Sequence, residues 1–119
     1  MAGTVTTTEK AHTSAKKIVF AWTSSAGGAA DATTTERYDG KIVGLTTDPG
    51  AAAPTDDYDV VITDEDGHDV LLGAGANRDT ANTEHVDGDS LAAVADSVLT
   101  LAVTNAGNAK GGEAIVWVR

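Results

Sequence analysis

Asp64, Glu65, Asp66 and Asp69 crowd round Gly67 in the stretch YDVVITDEDGHDVLL, residues 58–72. Carboxylates at that spacing can ligate a hard cation, act as an acid–base pair, or solvate a turn. An EF-hand loop needs oxygen ligands at its first, third and fifth positions, glycine at its sixth and a bidentate Glu at its twelfth. Asp64, Asp66 and Gly67 fill the third, fifth and sixth positions. Ile62 stands at the first and Gly73 at the twelfth, and neither side chain ligates. The motif fails at both ends. An acidic-Gly pair between two apolar runs is instead a hairpin-turn signature, with Gly67 at positive φ. The turn is the reading taken here, ahead of cation binding and of catalysis.

The remaining chemistry-bearing residues are scattered. Glycoside chemistry needs two acids in a cleft, usually beside aromatic rings that bind sugar. The chain has five aromatic residues, and Phe20, Trp22 and Trp117 fall in strand patterns that read as core. Trp22 and Trp117 as a sugar platform is the alternative. The three histidines, His12, His68 and His85, are far apart in sequence and lack local metal-ligand spacing. No G-x-S-x-G elbow occurs. Gly73–Asn77, GAGAN, lacks the lysine of a phosphate loop and reads as a flexible connection. No catalytic, cofactor-binding or metal-binding residue is assigned, no cofactor is expected, and the chain is read as not an enzyme.

The elements that would position these residues must come from a sparse set of large side chains. Val, Leu, Ile and Phe make up 23 of 119 residues, a share that would flag disorder unless they are patterned. They are patterned. Ile18, Phe20 and Trp22 alternate in KKIVFAWTSS (16–25), and Tyr58, Val60 and Ile62 in YDVVITD (58–64). Leu99, Leu101 and Val103 alternate in SVLTLAVTN (97–105), and Ile115 and Trp117 in the closing EAIVWVR (113–119). YDGKIVGLTT (38–47) is a further strand, with Asp39-Gly40 a turn or bulge near its start. DVLL (69–72) is read as the return strand of the hairpin, and Leu91, Val94 and Ala95 as one short helical turn within 87–97. Segments 27–35, 47–57, 73–84 and 105–112 read as loops.

This pattern predicts an all-β chain: one small antiparallel β-sandwich or barrel-like domain, of jelly-roll or β-tulip type, over residues 16–119, with long Gly/Ala/Thr-rich loops. Residues 1–15 are an extended N-terminal arm or an edge strand. Acidic residues outnumber basic ones 18 to 8, a net charge of −10, which argues against nucleic-acid binding. The basic cluster Lys10, His12, Lys16 and Lys17 is read as solvated side chains. There is no cysteine, hence no disulfide framework. No signal-peptide h-region and no membrane-spanning run are evident.

KIVFAWTSSAGGAAD, GKIVGLTTDPGAAAPTDDYDVVITDEDGHDVLLGAGANRDT and LTLAVTNAGNAKGGEAIVWVR resemble segments of small virion structural proteins of tailed bacteriophages. The likeness covers most of the chain after about Lys16, and Tyr58–Arg78 is its most distinctive part. Small acidic β proteins of this kind are similar to capsid decoration (cement) proteins. The resemblance implies a homo-oligomer, expected as a trimer, on the outer surface of the phage head. Its partner would be the major capsid protein, with no role for nucleic acid or membrane, and it would be made in the host cytoplasm. The alternatives are a head–tail connector, a tail or head-fibre protein, and a carbohydrate-binding β module. No contact residue is carried over from the family.

Overall fold

The computed structural model describes residues 3–11 and 15–119. His12 and the ends of the expected arm lie outside the described residues. The described chain is a two-sheet antiparallel β-sandwich. Its strands are β1 (Thr4–Ala11), β2 (Lys16–Thr23), β3 (Ala30–Thr33), β4 (Tyr38–Pro49), β5 (Asp59–Thr63), β6 (Glu84–Asp87), β7 (Ala93–Ser97), β8 (Thr100–Thr104) and β9 (Gly111–Val118). The larger sheet runs β1-β2-β9-β4-β6, with β7 also paired to β4, and the smaller runs β3-β8-β5. Among the described residues the one helical element is a 3₁₀ turn, Gly88–Ser90. No described helix is long and apolar enough to cross a membrane.

The alternation read from the sequence is what closes the core. Ile18, Phe20 and Trp22 of β2 are buried against Val60 and Ile62 of β5 and Leu101 and Val103 of β8. Each large side chain fully buried in this way contributes roughly 1.5–3 kcal/mol. Gly40, at φ 120, takes up the register shift between β4 and β7 at the bulge anticipated near Asp39-Gly40.

Five local readings change. Segment 27–35 contains β3, whose sequence ADAT is too small and polar to announce a strand; it pairs with β8 from Ala30↔Val103 to Thr33↔Thr100. Segment 73–84 ends in the edge strand β6, paired to β4 through Leu45↔Val86. DVLL is not a return strand. Thr63 and Asp69 form one isolated bridge, after which the Asp69 carboxylate accepts the amide hydrogens of Leu71 and Gly73 at 2.9 and 2.8 Å and turns the chain. Leu91 and Val94 are buried but not helical, because the 3₁₀ turn ends at Ser90, Leu91 is already extended and β7 begins at Ala93. In β9 the buried residues are Ala114, Val116 and Val118, so Ile115 and Trp117 face outward.

Trp22 explains that last inversion. It pairs with Gly112, and a Cβ at Gly112 would sit 3.0 Å from the Trp22 ring. The next inward pair is Phe20 with Ala114. Beside two bulky β2 residues, the inner face of β9 has room only for small ones.

Thr4–Ala11 forms an edge strand along β2, the second of the two readings of the N-terminal segment, with Val5↔Trp22 and Thr7↔Phe20 in register. Its inward residue Glu9 is held by three donors: the Tyr38 hydroxyl at 2.7 Å and the amides of Thr35 and Glu36 at 3.1 Å each. An inward charge on an edge strand guards against edge-to-edge pairing.

Candidate functional site: an acidic turn and the outer sheet face

The acidic turn resolves residue by residue. Asp64 accepts the amides of Asp66 and His68, both at 3.0 Å, and Gly67 sits at φ +84. Asp69 caps the following turn through Leu71 and Gly73. Glu65 is paired to Arg37 at 2.5 Å, and the same guanidinium reaches Asp96 at 2.8 Å. Those bonds push the Arg37 guanidinium further up, with Asp96 the larger influence. The turn and β7 together line an open cleft of about 320 Å³, bordered by Asp64–Asp66 and Ala93–Ser97. Arg37 joins the two walls. Of the four carboxylates singled out in the sequence, three are thus engaged by the protein itself, and exposed Asp66 is left to solvent.

The same use of acids recurs around the molecule. Asp59 accepts the Asn77 amide at 3.0 Å and the Asn105 side-chain amide at 2.7 Å. Asp79 accepts from Ala81 at 2.7 Å and from Asn82, and the Ala81 amide, followed by the Asn82 side chain, holds its carboxyl below the usual range. Asp56 takes the Thr80 amide and Asp39 the Asp96 amide. The acids stand in for secondary structure by accepting amides of the loops, and in β7 that of Asp96, that no strand pairing satisfies. GAGAN is pinned in this way rather than flexible. Gly73 is bound by Asp69, Asn77 by Asp59, and Gly75 accepts the Val60 amide at 2.8 Å.

The histidines are not brought together. His68 is exposed in the acidic turn, whereas His85 lies on β6 of the larger sheet. Among the described residues no group of three or more His, Asp or Glu side chains is placed to hold a metal ion.

His85 marks the second feature. Its Nδ1 is 2.7 Å from Thr46 Oγ1, and its ring meets the edge of Trp117 at 5.8 Å with a 66° interplanar angle. Gly44 lies beside both: a Cβ there would be 3.2 Å from the Trp117 ring and 3.3 Å from the His85 ring. Trp117 is therefore one centre of an outward surface, not core as the strand pattern suggested. Val19 and Ile115 stand opposite each other on that surface, both half-buried, and Val43 at its border is 39% exposed. Thr4, Thr6 and Thr8 of β1 line one side of it. The surface had a sequence signal. Glu113 shares the parity of Ile115 and Trp117, and a charge at that parity marks the solvent side of a strand.

Trp22, by contrast, is buried, with its ring 5.5 Å from Tyr58. The two tryptophans thus sit on opposite faces of the larger sheet and form no common platform.

No family model matches the chain, and no curated protein matches it. Among solved structures it is similar to the family 11 carbohydrate-binding module of the cellulosomal cellulase Lic26A-Cel5E of Clostridium thermocellum, at 12% identity over 99% of this chain and 82% of that one, with a TM-score of 0.37.

Proposed function

We propose that this domain is a non-catalytic structural protein of a tailed-phage particle, decorating the outer surface of the head as a homo-oligomer and contacting the major capsid protein. The observation that carries the reading is the outer face of the larger sheet. A chain with few large apolar residues leaves Val19, Ile115 and Trp117 half-buried and Val43 exposed on one face, where a partner surface would bury them further. The acids support it, because they brace loops rather than converge on a reacting atom. The likeness of Tyr58–Arg78 to virion structural proteins supplies the kind of particle. A net charge of −10 suits a protein that coats a particle and keeps it dispersed.

The test is re-addition. Particles grown without the gene are mixed with purified protein and pelleted. Saturable binding at a fixed ratio to the major capsid protein is expected. Absence of binding, to particles shown to carry the protein when the gene is intact, would leave a connector or fibre role as the better account.

Trp117 supports a second reading, a carbohydrate-binding β module. A partly exposed tryptophan on a sheet face, with the His85–Thr46 pair beside it, has the elements of a sugar contact. A panel of oligosaccharides titrated against tryptophan fluorescence checks this. A saturable response abolished by Trp117→Ala would favour the sugar reading over the particle reading.

A further inference from the structure

The outer face of the larger sheet carries a charge arrangement that matches itself. At one end Lys10 of β1 stands opposite Lys17 of β2, and Lys17 stands opposite Trp117 of β9. At the other end Glu113 of β9 stands opposite Ala21 on one side and Asp48 of β4 on the other. Val19 and Ile115 fill the row between. One end carries Lys10 and Lys17, with Asp87 of β6 at its far corner beyond Gly44; the other carries Glu113 and Asp48; the centre on β2 and β9 is apolar, flanked by Thr8 and by the Thr46–His85 pair.

Within one molecule the two ends cannot meet. The Lys17 and Glu113 rows are four residues apart along the strands, roughly 13 Å at the rise of an antiparallel strand. Among the described residues the ion pairs are Arg37 with Glu65 and Asp96, and Arg78 with Glu84, so neither Lys17 nor Glu113 is neutralised there. Lysine near a sheet edge commonly just blunts it. That explains Lys10 on β1 but not Lys17, which is one strand in and beside a tryptophan.

We propose that the occupant of this face is a second copy of the same chain, turned end for end. Lys17 of each copy then lies against the second copy's Glu113, and the Val19–Ile115 rows stack at the centre. A two-fold interface requires a patch complementary to itself, and this one is. Two sheets can stack face to face at about 10 Å with their side chains interleaved. Gly44, having no side chain, makes room on β4 for the Trp117 and His85 rings that form one part of the face. The apolar part of the face is confined to a few side chains, Val19, Ile115 and Trp117, so the contact is a small one and the pair dissociates on dilution. Repulsion between two chains of charge −10 is screened beyond about 8 Å at physiological salt. The inference deepens the oligomer in the proposed function, but its test uses pure protein and stands apart from any particle.

The experiment is sedimentation velocity of the full chain over a dilution series, for wild type, Lys17→Glu, Glu113→Lys and the charge-swapped double variant. Wild type is expected to show a reversible monomer–dimer equilibrium. Each single reversal should weaken it about tenfold or more, and the swap should restore it to within about threefold of wild type. Thermal midpoints establish that the variants are folded. Should a reversal unfold the protein, Lys17→Ala and Glu113→Ala replace it, and the non-additivity of the pair is read instead. A monomer at every concentration overturns the inference. So does a dimer indifferent to these residues, or a trimer, which a two-fold pair cannot form.

Discussion

Replacing Glu9 tests how the edge strand is held. Its carboxylate binds the Tyr38 hydroxyl at 2.7 Å and the Thr35 and Glu36 amides at 3.1 Å each. Thr35 and Glu36 are exposed, so water replaces the carboxylate at their amides when it is removed. Tyr38 is 1% exposed, and its hydroxyl would be left buried without a partner, at about 1–3 kcal/mol. With the two amide bonds added, Glu9→Ala should cost about 2–3 kcal/mol and Glu9→Gln about half of that, since the amide keeps one acceptor oxygen. Tyr38→Phe removes the stranded hydroxyl. The double variant should therefore lose about 1 kcal/mol less than the sum of the singles. Urea unfolding followed by tryptophan fluorescence measures the four variants against wild type. A Glu9→Ala loss under about 0.5 kcal/mol, or strict additivity with Tyr38→Phe, would refute the argument.

The same site sets the pH response. Burial alone would raise the Glu9 carboxyl, but the Tyr38 hydroxyl and the two amides outweigh it and hold it below the usual range. A lowered folded value gives stability that is present above the unfolded value and lost as pH falls through the folded one. Stability should therefore start to fall as pH drops through the ordinary carboxylate range and go on falling until Glu9 is protonated below it, with a smaller acid-dependent loss in Glu9→Gln. Burial, followed by the Glu9 carboxylate, pushes the Tyr38 phenol up. Burial also pushes up Tyr58. Both rises favour the neutral phenol in the fold, so stability should also decline above about pH 10.

Within the acidic turn, Asp64→Ala should cost about 1–2 kcal/mol by freeing two amides, and Asp66→Ala close to nothing. Gly67→Val should cost roughly 1–2 kcal/mol because a β-branched residue resists φ +84. Chemical denaturation ranks the three, and Asp66→Ala proving the most damaging would mean that the turn binds something. Thermal midpoints in excess EDTA and excess Ca²⁺ should agree, because Asp64 and Asp69 already bind amides; a rise of several degrees with Ca²⁺ would contradict that. Trp22→Ala should cost about 3–5 kcal/mol as a core truncation, and Trp117→Ala well under half of that.

The sandwich was legible wherever large side chains alternate. β2, β4, β5 and β8 lie where Phe20, Ile42, Ile62 and Leu101 put them. β9 was legible as a strand, but both its faces are apolar; the parity of Glu113 is the local hint of the outer face, and pairing with Trp22 through Gly112 fixes which residues turn inward. β3 and β6 are short and depend on neighbours distant in sequence, as Ala30 does on Val103. The spacing of Leu91 and Val94 imitates a helix because a 3₁₀ turn and a strand happen to deliver both to the core. The acidic turn was readable as a turn from its own residues. Arg37, which ties Glu65 to Asp96, was not, since it lies 28 residues before one partner and 59 before the other.

Copy number measured by quantitative mass spectrometry of purified particles, normalised to the major capsid protein, tests the proposed role most directly. A head-decorating protein is predicted at hundreds of copies per particle, in fixed proportion to the capsid lattice. A few copies or tens would point to a connector or fibre. Absence from particles whose producing cells contain the protein would contradict the structural reading altogether.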